Sequence, residues 1–254
     1  MVAQALHSHP AIVCFREVFN GRLDNVNFGV EGYNDFSERD LASRQEDPVR
    51  FLNERIFRGW PPDVRAVGFK LHYTQHWDFP GIIEHLAQDR ELRVIHLRRR
   101  NMLRSFVSMK IAAQTGAWVD TGRPTLTPAN ASRALRNPTK AARRVSDRLK
   151  QLDKQPIVIT AEEYGTFVLK TRLRQEGYTR LFRGHPTIDV DYEDVVALAG
   201  TAFARVFAFL AVEPAPLSIT LRRQNPESLR DLIENYDELR AAFEGTPEAA
   251  LFDD

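Results

Sequence analysis

Residues 93–108 read RVIHLRRRNMLRSFVS, and three consecutive arginines close an apolar run there. Arginine presents a planar fork of N–H donors that matches the oxygens of a phosphate or sulfate. A helix is expected to start directly after the arginines. Its first turn offers unpaired backbone N–H groups and the positive end of the helix dipole. Ser108 stands nine residues beyond Arg99, about two turns along that helix, where its hydroxyl adds a donor. Together these groups suit a bound phosphate. The plainer alternative is a solvated strand end, with Ser108 facing a neighbouring helix.

These residues need a frame to hold them. Val64–Tyr73 reads as a strand, with Val64, Val67, Phe69 and Leu71 as its apolar positions. Asp78–Leu92 reads as a helix with Pro80 in its first turn. Arg93–Leu97 is a short strand, and Asn101–Thr115 a helix carrying Leu103, Phe106, Val107 and Ile111 on one side. Residues 116–138 read as a long loop, of a length that often marks a lid. Lys140–Leu152 and Ala161–Phe182 have helical patterns, Thr187–Asp191 alternates as a strand, and Thr201–Ala211 is a largely apolar helix. In Pro226–Glu244 the residues Leu229, Leu232, Ile233, Tyr236, Leu239 and Phe243 make one helical stripe. Strands alternating with helices predict an α/β three-layer sandwich, a parallel sheet covered on both faces, over residues 1–254 as one domain. Ligands in such sheets bind beyond the carboxyl ends of the strands, which is where the arginines fall.

Composition narrows the partners. The chain has 254 residues and a formal net charge of +1, so no global field draws it to nucleic acid or an anionic membrane. Cys14 is the single cysteine, which excludes a disulfide framework and fits a reducing, cytoplasmic setting. The longest apolar stretch, near Ala202–Val212, is too short for a transmembrane helix and contains Arg205. His7 and His9, beside Pro10, suggest a turn and have no Cys, Asp or Glu at ligand spacing nearby, so no metal is expected. Self-association into a homo-oligomer is compatible with the sequence, which does not specify it.

LRRRNMLRSFVS resembles the 3′-phosphate-binding segment of sulfotransferases that use 3′-phosphoadenosine-5′-phosphosulfate (PAPS). In that family an Arg ends a strand and a Ser follows on the next helix. The continuation IAAQTGAW is similar to bacterial carbohydrate and lipid sulfotransferases. HSHPAIVCFREVFN (His7–Asn20), VGFKLHYTQ (Val67–Gln75), VDYEDVV (Val190–Val196) and LRRQNPESLRDLIENYDEL (Leu221–Leu239) resemble further family segments in the expected order. The resemblance therefore runs along nearly the whole chain. It implies a P-loop-NTPase-like sulfotransferase fold and transfer of a sulfuryl group from PAPS to a hydroxyl of a small-molecule, carbohydrate or glycolipid acceptor. The product would be adenosine 3′,5′-bisphosphate, with no metal.

The resemblance also assigns roles. Arg99 and Ser108 would hold the 3′-phosphate, with Arg98 and Arg100 secondary. Glu17, just past Ala11, Ile12 and Val13, would be the catalytic base, its pKa drawn toward neutrality by partial burial. The alternative for Glu17 is a loop carboxylate paired with Arg16. Lys70 would lie near the transferring sulfate, or else snorkel to the sheet edge. Tyr192 would contact the adenine, or pack at the strand end. Arg223, or Arg222 beside it, would be a second 3′-phosphate contact, or a surface ion pair. Residues 116–138 could cover the acceptor.

One family element has no counterpart. A strand and a loop of Arg, Ser or Thr, Gly and two further hydroxyl residues should precede His7–Asn20 and wrap the 5′-phosphosulfate. Met1 already lies inside the helix expected after that loop. The expectation is a start placed too late by ~15–35 residues, against the alternative of a truncated gene. On either view this chain would transfer sulfate poorly or not at all. Two other classes remain. A nucleotide-phosphate kinase is disfavoured because no GxxxxGK loop is present. A non-catalytic adenine-nucleotide-binding relative is favoured by the absent loop.

Overall fold

A computed structural model describes residues 2–21, 30, 32–33, 35–115, 155–218 and 225–253. These form two compact units, 1–98 with 174–219 and 99–173 with 220–254.

The first unit is built on parallel strand pairs. Strand β1 (Ile12–Phe15) pairs with β2 (Ala66–Phe69) in the register Ile12 with Ala66 through Phe15 with Phe69. Strand β3 (Val94–Arg98) pairs with β4 (Thr187–Asp191), Val94 with Thr187 through Arg98 with Asp191. Side chains alternate across a strand, so each pair has two faces to bury. Val13, Phe15, Val67, Phe69 and Val94 join one apolar cluster with Phe19, Phe51, Ile82 and Phe182. Ile12, Cys14, Ile95, Ile188 and Val190 join another with Leu6, Phe203, Val206 and Phe207. The first face is covered by α2 (Glu38–Glu46), α3 (Pro48–Phe51) and α4 (Ile82–Gln88). The second is covered by α1 (Val2–His7) and by two helices after β4. Cys14 is buried on that second face, and desolvation pushes its thiol pKa up to about 12, so it is an inert packing residue.

Helix α5 (Met102–Thr115) and the first half of α6 (Ala161–Leu181) belong to the second unit. After β4 come α7 (Tyr192–Ala197) and α8 (Ala199–Leu210), and the chain finishes with α9 (Leu229–Leu232) and α10 (Tyr236–Ala242). The core of the second unit gathers Leu103, Phe106, Val107, Ile111, Ile157, Ile159, Tyr164 and Tyr236.

Thr187–Asp191 forms as expected, and the helix after the arginine run starts one residue later than expected. The Val64–Tyr73 strand is cut back to four residues, because β1 ends at Phe15 and the Lys70 amide turns to the Phe15 and Arg16 carbonyls (3.1 and 3.2 Å). The helix expected from Asp78 starts at Ile82. Gly81, at φ 83°, breaks the winding, so Pro80 lies ahead of the helix and Gln75–Asp78 form a 3₁₀ turn instead.

The single helix expected over Pro226–Glu244 is two. Ile233 leaves helical geometry to bridge Ile157, with hydrogen bonds from the Ile157 amide to Leu232 O (2.9 Å) and from the Glu234 amide to Ile157 O (3.0 Å). Asn235 completes the break. Its side chain accepts from the Ile159 amide (3.0 Å) and donates to the Ile159 carbonyl (2.9 Å). A periodic stripe cannot announce this, because Ile233 is buried either way. Asn235→Ala is expected to cost about 1–3 kcal/mol by orphaning both backbone groups of a fully buried residue. A urea midpoint unchanged by that substitution would contradict the assignment.

The loop at 116–138, the helix expected over Lys140–Leu152, and Arg222 and Arg223 lie outside the described residues. No described helix is long and apolar enough to cross a membrane.

Candidate active site

Strands β1 and β2 are parallel and in register to their last residues, so the segments that leave them emerge at one carboxyl edge. Glu17 comes two residues after β1. Lys70 and His72 come after β2 at alternate positions and reach the same carboxylate. Lys70 Nζ donates to Glu17 Oε1 at 2.7 Å, and His72 Nε2 lies 3.2 Å from that oxygen. On Oε2, Gln75 Nε2 donates at 2.9 Å and Asn20 Nδ2 at 3.1 Å. Four donors thus fill the acceptor capacity of one carboxylate.

The turn that carries Glu17 is itself held. Val18 and Phe19 are fully buried, and Phe19 packs edge-on against Phe69 and Phe79 at ring separations of 5.5 and 5.2 Å. From α2, Arg44 reaches beneath the turn. Its Nη1 donates to the Val18 and Asn20 carbonyls (2.7 and 3.2 Å), and its guanidinium lies 5.0 Å over the Phe79 ring. Arg44 is 0% exposed, and burial lowers its pKa. On the other side, Gln75 Oε1 accepts from the His72 amide (3.0 Å), which fixes the amide orientation that points Nε2 at Glu17.

The expectation that burial would tune Glu17 upward is corrected. The hydrogen bond from His72 lowers its pKa most. Desolvation opposes this, but the charge and hydrogen bond of Lys70 add to the lowering, and the carboxyl ends far below its usual range. The alternative partner, Arg16, turns away to Gln4 Oε1 (3.4 Å). Lys70 does lie at the sheet edge, but its head group is spent on Glu17 rather than on water alone. Partly exposed ion pairs of this kind contribute at most about 1 kcal/mol to stability.

The lowered pKa has a consequence for acid stability. Relative to its ordinary value of 4.5, Glu17 binds its proton more weakly when folded, so its contribution is present above pH 4.5 and is lost as pH falls through the folded value. Between pH 6 and 3 the wild type is therefore expected to lose more stability than Glu17→Gln. Equal losses in urea titrations across that range would contradict the depressed pKa.

In the second unit, Arg99 is half-buried in the connection between β3 and α5. Asn101 caps α5 by accepting from the Arg104 amide (2.8 Å), while its own Nδ2 donates to Leu251 O (3.1 Å). Arg104 is buried and donates to the Asn225 and Glu227 carbonyls (3.4 and 3.0 Å). Asn225, 3% exposed, donates from Nδ2 to Ser108 Oγ at 3.2 Å. With its oxygen accepting that bond, the Ser108 hydroxyl keeps its own proton to donate. In the first unit, Arg98 is accounted for structurally. Its Nη2 holds Asp189 across the β3–β4 pair at 2.9 Å and Thr179 at 3.4 Å. Tyr192 opens α7 immediately after Asp191, the register partner of Arg98.

The structure thus joins Glu17 to Lys70, which are 53 residues apart, and joins Ser108 to Asn225, 117 residues apart. His72, Gln75, Arg44 and Asn225 escape a reading of the sequence. His72 has one available signal, its same-face position two residues beyond Lys70. Among the described residues no group of three His, Cys, Asp or Glu side chains is placed to hold a metal.

Comparison with known proteins finds similarity to Nodulation protein H of Rhizobium tropici. The two are 26% identical over 253 residues, which is 98% of this chain and 86% of that protein. No family model matches, and no solved structure matches.

Proposed function

We propose that the protein is a PAPS-dependent sulfotransferase that moves a sulfuryl group to a hydroxyl of a carbohydrate or glycolipid. The observation that carries this reading is the Glu17–Lys70–His72 cluster at the carboxyl edge of β1 and β2. Two things support it. The ordered motifs resemble that family, and the whole-chain similarity is to a protein named for nodulation.

The chemistry assigns each group a task. The acceptor hydroxyl loses its proton as its oxygen bonds to sulfur, and the bond from sulfur to the bridging phosphate oxygen breaks. Adenosine 3′,5′-bisphosphate leaves. As in phosphoryl transfer, charge is spread over the equatorial oxygens of the moving group, so cationic donors fixed beforehand lower the barrier. Lys70 is such a donor. A carboxylate saturated by four donors is a weak base. An arriving sulfuryl group competes for Lys70, and each donor drawn away from Glu17 raises the basicity of the oxygen it leaves. In this reading Oε1, freed from Lys70, takes the acceptor proton, and His72 keeps the carboxylate oriented. Arg99 and Ser108, the latter set by Asn225, supply donors for the 3′-phosphate.

The test is incubation with PAPS and a set of glycan acceptors. Equimolar sulfated product and adenosine 3′,5′-bisphosphate support the reading. Binding of the nucleotide with no transfer to any acceptor would instead favour a nucleotide-binding protein without catalysis.

A further inference from the structure

Tyr178 lies near the end of α6, in the part of that helix that belongs to the first unit. Its hydroxyl donates to Tyr73 O at 2.9 Å and lies 2.7 Å from His76 Nδ1. Tyr73 directly follows His72, and His76 directly follows Gln75. The two contacts therefore fall one residue beyond each of the groups that reach Glu17 from this segment, His72 on Oε1 and Gln75 on Oε2. Between those points the segment closes on itself. The Gln75 amide donates to His72 O at 3.1 Å, and Gln75 Oε1 accepts from the His72 amide at 3.0 Å. One hydroxyl from another element thus holds both ends of the turn that aims at the carboxylate.

The direction of each bond follows from the chemistry. Burial pushes the Tyr178 phenol up to about 12, so at neutral pH it keeps its single proton. A carbonyl only accepts, so that proton goes to Tyr73 O, and the Tyr178 oxygen accepts from His76 Nδ1–H. Burial lowers the His76 pKa, so the ring is neutral at pH 7 and its lone pair is on Nε2. Protonation at Nε2 would leave Nδ1–H in place, so the contact holds in either charge state.

The ring that carries the hydroxyl is itself fixed. It packs on Tyr73 at a ring separation of 4.7 Å, on Phe182 at 6.3 Å and edge-on to His76 at 5.9 Å. One helical turn earlier on the same face of α6, Arg174 lies over the Trp77 ring at 5.6 Å. At the end of the turn, Gln45 Nε2 donates to Asp78 O at 3.3 Å. A phenylalanine at position 178 would keep every one of these ring contacts. What the hydroxyl adds is the placing of Tyr73 O and of the His76 imidazole, and with them the reach of the residue before each. We propose that Tyr178 is a positioning residue for Glu17: its hydroxyl holds Tyr73–His76 so that His72 and Gln75 stay aimed at the carboxylate. Its effect on turnover rests on the transferase reading above, but its hold on the two donors does not.

The experiment compares Tyr178→Phe with Tyr236→Phe. The second variant removes a hydroxyl bonded to a backbone carbonyl in the other unit, that of Phe252 at 2.7 Å. Hydrogen exchange of the His72 backbone amide and the Gln75 side-chain amide is followed by NMR at neutral pH. Both are expected to exchange about tenfold faster in Tyr178→Phe and at the wild-type rate in Tyr236→Phe. His76→Asn, whose side-chain amide can stand in for Nδ1–H, should stay close to the wild type. Where sulfuryl transfer is measurable, Tyr178→Phe should lower kcat about threefold and leave the KM for the donor unchanged. No protection of either amide in the wild type, wild-type exchange in Tyr178→Phe, equal quickening in Tyr236→Phe, or an unchanged kcat in an active enzyme would each overturn the proposal. Quickened exchange confined to Tyr178→Phe in a protein that transfers no sulfuryl group would leave the hold of Tyr178 standing and remove the transferase.

Discussion

Glu17→Gln is expected to lower kcat by about 10²–10⁴-fold, the usual contribution of a positioned proton acceptor, while leaving affinity for the donor nearly unchanged. The substitution is close to isosteric. It preserves a carbonyl oxygen for some of the four donors and removes the charge that can accept a proton. His72→Gln should cost less, about tenfold, since it removes one donor that orients Glu17 and leaves the carboxylate in place. The order of the two effects matters. If His72→Gln abolished turnover and Glu17→Gln left it intact, the proton would pass to the imidazole, and Glu17 would be reduced to orienting it. If both variants retained wild-type turnover, the cluster would have no part in the chemistry.

Arg44→Ala is expected to destabilise the protein by about 2–4 kcal/mol and to lower its melting temperature by about 5–15 °C. Two opposing terms decide the sign. Burying a guanidinium that has two carbonyls and a ring as its partners among the described residues is costly, and removing it recovers that cost. Against this, alanine leaves a cavity under the turn and strips the donor from two carbonyls, those of Val18 and Asn20. The cavity and the two orphaned acceptors outweigh the recovered desolvation. Arg44→Met fills the volume and should lose about half as much. Because the same turn presents Glu17, Arg44→Ala should also lower kcat at temperatures where it remains folded. A melting temperature equal to the wild type would show that the turn does not depend on Arg44.

The contrast between these two residues shows what a sequence can disclose. Glu17 stands out because it comes just after a short apolar strand, at a place where an α/β sheet exposes its ligands. Arg44 does not, because an arginine in ERDLASRQE reads as the solvated side of a short polar helix. Nothing local reveals that two carbonyls lie 24 and 26 residues upstream, waiting for it. The β4 strand is legible because its alternation is complete within five residues. The break at Ile233–Asn235 is hidden because it depends on pairing with Ile157 and Ile159, more than 70 residues away. The direction of the Glu17 pKa shift is hidden for the same reason. Burial is readable from neighbouring residue types, whereas the groups that outweigh it, His72 and Lys70, are supplied by the segment that leaves another strand.

The transferase proposed for this protein turns on its handling a nucleotide marked by a 3′-phosphate. That is measured by calorimetric titration of the protein with adenosine 3′,5′-bisphosphate and, separately, with adenosine 5′-monophosphate. The bisphosphate is expected to bind more tightly by about ten- to a hundredfold, the worth of a charged hydrogen-bonding site for one phosphate. Arg99→Ala is expected to remove most of that difference without weakening the monophosphate. Equal affinity for the two nucleotides, or no binding of either, would contradict the sulfotransferase reading.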